Sequence, residues 1–246
     1  MMKAIRAVRA LGPIDARGIQ RDPLLRWLVV YPVFLALVIR WGVPALAARL
    51  EGRYDFDLSG YYVLLMSFLV ELLPILTGMV VGFLLLDQKD DGTLTALRVT
   101  PLTRAGYLAY RLTMPMAVSV VMTLAVFPIA GLVRVAPGPL LLMALGSAPL
   151  APLFALLLGA FAGNKVEGFA LGKASGVLFI PPVLAYFVDP PWQWAFGLMP
   201  TYWPVKAFWV QQAGGRGYPA YLLVGAAYQA LLLVPLLRRF DRVMQG

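Results

Sequence analysis

The sequence predicts an all-α integral membrane protein with six transmembrane helices, and three observations support this prediction. Hydrophobic residues make up 61% of the 246 residues and charged residues only 13%, whereas an average soluble domain is roughly 45–50% apolar. The apolar residues occur in runs of about 20, the length that crosses ~30 Å of hydrocarbon. These runs lack the alternating pattern of barrel strands, so each is expected to be a helix.

The six expected spans lie at residues 24–48, 60–86, 107–133, 140–162, 169–188 and 220–237. No linker or change in composition separates them, so residues 1–246 are expected to form a single transmembrane domain. Before the first span, Ile5, Val8 and Leu11 have the spacing of a short amphipathic helix that lies on the membrane surface. A disordered basic tail is the alternative.

Lys and Arg residues are distributed unequally between the two sides of the predicted bundle. One side has Lys3, Arg6, Arg9, Arg17, Arg21, Arg26, Lys89, Arg98, Arg104, Lys165, Arg238, Arg239 and Arg242. The other side has Arg49, Arg53, Arg134, Lys206 and Arg216. Because basic residues mark the cytoplasmic side, both termini are expected in the cytoplasm. The net charge of +9 is therefore interpreted as a topology signal and not as a nucleic-acid-binding surface.

The connection 189–219, before the last span, is rich in aromatic residues. Aromatic side chains concentrate at the headgroup level of a bilayer. Its stretch 198–212 is too short to cross the membrane and is interrupted by Pro200 and Pro204. We therefore expect a re-entrant helical hairpin that enters the outer leaflet, with an exposed loop as the alternative.

The most informative segment connects the second and third spans. Residues 90–101 read DDGTLTALRVTP, in which acidic and hydroxyl side chains stand where a short cytoplasmic helix would begin and Pro101 would end it. Such a helix can contact a groove on a soluble partner. The residues expected to make this contact are Asp90, Asp91, Gly92, Thr93, Leu94, Leu97, Arg98, Thr100 and Pro101.

This segment resembles the cytoplasmic signature of type-2 ATP-binding-cassette (ABC) transporter permeases, in which acidic residues precede Gly-Thr-Leu and a Thr-Pro or Ser-Pro follows. The resemblance extends over the whole chain, because these permeases have an N-terminal surface helix, six spans and a re-entrant hairpin before the last span. Pro200, Thr201 and Tyr202 stand where that hairpin usually carries a similar sequence. The chain departs from the pattern at Gln88 and Thr95, where family members often have Glu.

Within the family, two short sequences look most like those of small drug or fluoroquinolone exporters. They are Arg21-Asp22-Pro23 before the first span and ALRVTPLTR in the loop. The resemblance implies the permease subunit of an ATP-driven exporter in the bacterial cytoplasmic membrane, with an amphipathic drug or lipid-like substrate. It also implies a permease dimer, formed with a second copy or with a relative, and two ATPase subunits that drive it.

Nucleotide chemistry is not expected in this chain. The phosphate-binding pattern of Gly, four residues and Gly-Lys-Ser/Thr is absent, and Gly172-Lys173-Ala174 is the nearest approach to it. ATP and Mg²⁺ are therefore expected on the partner ATPase, with no cofactor on this chain. The sequence has no histidine and no cysteine, which removes the usual ligands of zinc and haem and argues against an intramembrane enzyme.

The charged residues that fall within the predicted spans include Arg40, Glu71 and Lys173. A charge at that depth costs ~2.5–3.5 kcal/mol or more if it is unpaired. We therefore expect Arg40 and Glu71 to form an ion pair, in either a structural or a substrate-lining role, and Lys173 to extend to the headgroups. A proton-coupled secondary transporter that uses Glu71 is the alternative function.

Methionines are spread through the predicted spans. They are Met66, Met79, Met114, Met116, Met122 and Met143. Flexible thioether side chains can line an adaptable pocket for apolar molecules, and they also fill ordinary cores. The sequence leaves both interpretations open.

Overall fold

The structure is a computed structural model that describes residues 2–91 and 103–245. Its helices are α1 Met2–Arg21, α2 Pro23–Tyr54, α3 Tyr62–Asp90, α4 Arg104–Ala130, α5 Pro137–Ser147, α6 Leu150–Phe161, α7 Lys165–Ala174, α8 Ile180–Tyr186, α9 Pro190–Gln193, α10 Tyr202–Gln212 and α11 Tyr218–Gln245. Short 3₁₀ turns occupy Leu58–Tyr61, Ser175–Phe179 and Trp194–Leu198. The all-α prediction is confirmed.

Six helical segments among the described residues are long and apolar enough to cross a membrane. They are Pro23–Tyr54, Leu58–Asp90, Ala105–Ala130, Pro137–Phe161, Lys165–Tyr186 and Tyr218–Val243. Each overlaps one predicted span, so the predicted number of spans is confirmed. The fourth segment combines α5 with α6, and the fifth combines α7, a 3₁₀ turn and α8, which begins beside Pro181 and Pro182.

Helix α3 is the centre of the bundle. It packs most extensively against α6 and α4 and also contacts α2 and α10. Two glycines allow the close approach to α6: a Cβ at Gly78 would lie 2.3 Å from the Ala151 carbonyl oxygen, and one at Gly82 would lie 2.7 Å from Leu158 Cδ1. Helix α2, by contrast, exposes many of its large apolar side chains. Such a surface suits hydrocarbon as the surrounding solvent.

The bundle has two different ends. One end, which we call the loop end, holds α1, the last turns of α3, the first turns of α4 and the C-terminal part of α11. Leu11, Leu85, Tyr107, Leu156 and Phe240 pack there in a common buried cluster. The first helix and the last helix that the structure describes therefore both reach the loop end.

The N-terminal helix is longer than the expected short surface helix. It continues through Gly12 and Pro13 to Arg21, although a proline inside a helix removes one backbone hydrogen bond. Asp22 then separates α1 from α2. The amphipathic character of the first turns remains a prediction, since it depends on side chains outside the described set.

Two short helical pieces lie between α8 and α11, namely α9 with the following 3₁₀ turn, and α10. The chain reverses between them at residues 199–201, since Lys206 of α10 donates to the Gln193 side chain of α9. That these pieces form a re-entrant hairpin remains a prediction. The Thr201 Oγ1 hydroxyl donates to the Leu178 carbonyl at 2.9 Å, and Gln229 Nε2 donates to the Pro200 carbonyl at 3.0 Å. The reversal is thus fixed to the fifth and sixth candidate spans. Its depth in a bilayer remains a prediction.

Candidate functional site at the loop end

The predicted partner-contacting segment begins where α3 ends. Asp90 is the last residue of α3, and the backbone N–H of Asp91 donates to the Asp87 carbonyl at 2.9 Å. The two acids therefore close the last turn of a long helix. The other predicted contact residues, Gly92, Thr93, Leu94, Leu97, Arg98, Thr100 and Pro101, lie outside the described residues.

The segment returns to the bundle at Thr103. Its hydroxyl oxygen accepts a hydrogen bond from Gly106 N–H at 3.2 Å and caps α4. Helical spacing then places Tyr107, Tyr110 and Arg111 on one face, because residues three and four positions apart are neighbours. All three are buried and face α1 and α3.

Asp15 of α1 is the acceptor at the centre of this face. The Arg111 guanidinium donates to both of its carboxylate oxygens, at 2.8 and 3.1 Å. The Tyr110 hydroxyl adds a hydrogen bond of 2.9 Å. Asp15 and Arg111 are each 1% exposed. The geometry is that of a bidentate buried ion pair, the arrangement in which Arg and carboxylate interact most strongly.

Gln88, the third residue from the end of α3, joins the same network. Its Nε2 lies 3.5 Å from Asp15 Oδ1, and its Oε1 accepts a hydrogen bond of 3.0 Å from the Tyr107 hydroxyl. The Tyr107 and Tyr110 rings also lie 5.2 and 5.4 Å from the Arg111 guanidinium carbon. We call Asp15, Gln88, Tyr107, Tyr110 and Arg111 the brace. They connect α1 to α3 and α4, the two helices on either side of the predicted partner-contacting segment. We call that segment, residues 90–101, the contact segment.

A second set of charges lies beside the brace. Lys165, at the start of α7, donates to both carboxylate oxygens of Asp87 at 2.9 and 3.0 Å and also contacts the Asp22 carboxylate. Asp22 caps α2 by accepting from Leu24 N–H at 2.7 Å. Partial burial acts to raise the pKa of Asp22, but the Lys165 ammonium and these backbone donors outweigh it and hold that pKa below its usual value.

The two sets of charges border a polar cleft of about 690 Å³ between α1, α2 and α3. The predicted contact residues Asp90 and Asp91 line it from α3, and Arg17 and Arg21 line it from α1. The cleft therefore carries both signs of charge directly beside the start of the contact segment. A soluble partner that engages this segment would meet Arg17 and Arg21 as well.

The predicted ion pair between Arg40 and Glu71 is wrong. Arg40 Nη1 instead donates to the Ile129 carbonyl at 3.1 Å, near the end of α4. Counting ~1.5 Å per residue from the connection between α2 and α3 places Arg40 about 21 Å and Glu71 about 14 Å from it, so their backbones differ in depth. Glu71 is 1% exposed, and its Oε2 has no hydrogen-bond partner among the described residues.

Lys173 lies on α7 with its Nζ 4.7 Å from the centre of the Phe169 ring. It is exposed and belongs to the fifth candidate span. The contact keeps the side chain along the helix surface. Its extension to the headgroups remains a prediction.

Sequence reasoning missed most of the site. Asp15, Gln88, Tyr107, Tyr110, Arg111 and Lys165 had no predicted interaction. A usable signal existed: Tyr107, Tyr110 and Arg111 repeat at helical spacing, and Asp15 is the only acid in the first 21 residues. Their pairing depends on how α1 lies against α4, which the periodicity of neither helix determines.

Comparison with known proteins assigns the family. The family model described as "Fluoroquinolones export permease protein Rv2686c-like" matches residues 15–237. Two relatives, the fluoroquinolones export permease protein Rv2686c of Mycobacterium tuberculosis strain H37Rv and its counterpart MT2760 of strain CDC 1551, are each 39% identical over 240 residues. The match covers 96% of this chain and 94% of each relative. No solved structure matches. The chain therefore belongs to the Rv2686c-like family of fluoroquinolone export permeases.

Proposed function

We propose that this chain is the permease subunit of an ABC exporter and that it moves amphipathic drugs of the fluoroquinolone class out of the cell. The family, six candidate spans and the names of the M. tuberculosis relatives support export. The ABC assignment is supported by the DDGTLTALRVTP signature between the second and third spans. The whole chain acts as one transmembrane domain.

The observation that carries the coupling proposal is the brace. A partner that pushes on residues 90–101 moves the ends of α3 and α4 from which that segment leaves and returns. Asp15 holds α1 to Arg111 of α4 at 2.8 Å and lies beside Gln88 of α3. Because these contacts are buried, α1 and both ends of the segment move as one rigid unit.

ATP is hydrolysed by the partner in this proposal. Two ATPase subunits bind ATP and Mg²⁺ and contact the loop end, and the permease works as a dimer with a second copy or a relative. The brace and the ion pairs of Lys165 with Asp22 and Asp87 then lie between the ATPase and the spans. The excess of basic residues at the loop end favours a cytoplasmic location for this end. The spans then lie in the bacterial cytoplasmic membrane, and both termini lie in the cytoplasm.

Co-purification tests the proposal. The chain should be isolated with the ATPase encoded beside it, and ATP hydrolysis should be measured in lipid vesicles with and without a fluoroquinolone. We expect an ATPase to co-purify and its drug-stimulated activity to fall when Gly92-Thr93-Leu94 is scrambled. A chain that purifies alone and exports without ATP would contradict the ABC assignment.

Glu71 supports a second candidate, a proton-coupled secondary transporter. Its side chain is buried within the second span, and Oε2 has no hydrogen-bond partner among the described residues. An acid in such a position can take up and release a proton. Transport into vesicles driven by a proton gradient alone, and abolished by Glu71→Gln, would favour this candidate over the ABC exporter.

A further inference from the structure

A largely apolar cavity of about 300 Å³ lies between α2, α3 and α4 in the half of the bundle nearer the loop end. A volume of this size is at the lower limit of small-molecule sites. Met114, Val118 and Met122 line it from one face of α4, and Thr77 lines it from α3. Helix α1 closes the side towards the loop end with Ala16, Ile19 and Gln20.

The cavity opens sideways. Val29 of α2 and Val118 of α4 both line it and are 40% and 38% exposed. Farther from the loop end the two helices meet, since Ala36 of α2 and Val126 of α4 belong to one buried cluster. The gap between α2 and α4 is therefore confined to the half nearer the loop end, and its apolar rim faces the surroundings of the bundle.

The lining favours contact with the aromatic part of a bound molecule. Met114 and Met122 supply thioethers, which make favourable contacts with aromatic rings. The Thr77 hydroxyl already donates to the Leu73 carbonyl at 2.9 Å. The Gln20 carboxamide has no hydrogen-bond partner in the part of the chain that the structure describes, so it remains free to bind one polar group.

The position of α1 argues against a phospholipid. A lipid in the leaflet at the loop end would need its headgroup where α1 crosses the end of the cavity. A compact molecule dissolved in the hydrocarbon can enter through the lateral opening without displacing α1. The occupant that fits the geometry is a drug-sized planar aromatic compound.

We propose that this cavity binds aromatic drugs that enter from the leaflet at the loop end, before they are exported. The inference rests on the proposed function, because it names a substrate site for the same exporter. It also brings substrate next to the brace, since Ala16 of the cavity is adjacent to Asp15 in α1. Bound drug and the contact segment would then act on the same helix.

Two matched pairs of substitutions test the site. Val118→Trp and Val29→Trp narrow the opening, whereas Val121→Trp and Val30→Trp place the same ring on the same helices at exposed positions that do not line the cavity. Equilibrium binding of tritiated norfloxacin to each variant in lipid vesicles is the measurement. Melting temperature and gel filtration verify that the four variants are folded.

We expect Val118→Trp and Val29→Trp to raise the norfloxacin Kd at least tenfold and the two controls to change it less than twofold. Equal effects in all four variants, or in none, would overturn the site. A further outcome would assign the cavity to lipid and would also overturn the drug site. In that outcome wild type and the controls retain phospholipid, Val118→Trp and Val29→Trp do not, and norfloxacin binding is unchanged.

Photolabelling of the wild-type protein tests the site without any substitution. An aryl-azide analogue of norfloxacin should photolabel residues that line the cavity, such as Met114 and Met122. Labelling restricted to residues that do not line it would contradict the proposal. ATP-driven norfloxacin export separates this inference from the function on which it rests. If wild type, Val118→Trp and Val29→Trp all export norfloxacin at the same rate, the cavity is rejected and the proposed function stands. If wild type does not export norfloxacin, the proposed function is rejected.

Discussion

Asp15 and Glu71 are both buried carboxylic acids, each 1% exposed, but they lie in different surroundings. Asp15, at the loop end, accepts two hydrogen bonds from Arg111 and one from Tyr110. Glu71, inside the second span, has an Oε2 with no hydrogen-bond partner in the described ranges. The difference indicates that the loop end uses buried charge to hold separate helices together, whereas the middle of the bundle relies on apolar packing.

Among the substitutions that test this difference, Arg111→Met should cause the largest loss of stability. It leaves the Asp15 carboxylate buried without its cation, which costs about 3–5 kcal/mol of unfolding free energy. Thermal unfolding in detergent measures the loss. The exposed Arg238→Met is the matched control and should change stability by less than about 0.5 kcal/mol. A melting temperature for Arg111→Met equal to that of Arg238→Met would show that the brace is not a stabilising contact.

Lys165→Ala should have a smaller effect, because its pairs with Asp22 and Asp87 are partly exposed. Each such pair contributes about 0.2–1 kcal/mol. Since the folded-state pKa of Asp22 lies below its ordinary value of 3.8, this stabilisation is present above that pH and is lost as the pH falls below it. The stability difference between wild type and Lys165→Ala should therefore shrink between pH 7 and pH values under 3.8.

Lys173→Ala is the control for this pH dependence. Its ammonium lies over the Phe169 ring and has no carboxylate partner within the described structure. The loss on substitution should thus be independent of pH over the same range. A constant effect of Lys165→Ala, parallel to that of Lys173→Ala, would contradict the assigned ion pairs.

Arg40→Met repeats the first substitution outside the loop end, in the middle of α2. Arg40 is exposed and, within the described ranges, makes one hydrogen bond, to the Ile129 carbonyl, which contributes about 0.5–1.5 kcal/mol. The same change of residue type should thus be several times less costly than at Arg111. Equal losses in thermal unfolding at the two positions would show that burial and bidentate geometry do not distinguish them.

Glu71→Gln should have the smallest effect on stability. The substitution removes a carboxylic acid that lacks a cationic partner among the described residues, so we expect a change of less than about 1 kcal/mol. ATP-driven export in vesicles should also remain within about twofold of wild type. Loss of export with unchanged stability would transfer the functional role from the loop end to Glu71.

The sequence predicted the helical class and the number of spans because both depend on the length and composition of apolar runs. It did not predict the brace, because the pairing of Asp15 with Arg111 joins residues 96 positions apart along the chain. The wrong prediction of an ion pair between Arg40 and Glu71 has the same origin. Two charges on neighbouring spans were taken to meet, but their depths differ, and Arg40 reaches the carbonyl of Ile129 instead.

The central claim is that α1 and both ends of the contact segment move as one rigid unit. The natural chain has no cysteine, so a single disulfide can be introduced without background. Gly18 of α1 and Leu84 of α3 are neighbours, since a Cβ at Gly18 would lie 2.8 Å from Leu84 Cδ2. The double variant Gly18→Cys with Leu84→Cys would lock α1 to α3.

The decisive measurement is ATP-driven fluoroquinolone export by this double variant, together with its ATPase, before and after oxidation. Each single-cysteine variant serves as the control for the oxidant. If α1 and the ends of the contact segment form one unit, export should continue at the same rate after the disulfide forms. Loss of export on oxidation, restored by a reductant, would show that α1 moves relative to α3 during transport and would contradict the account.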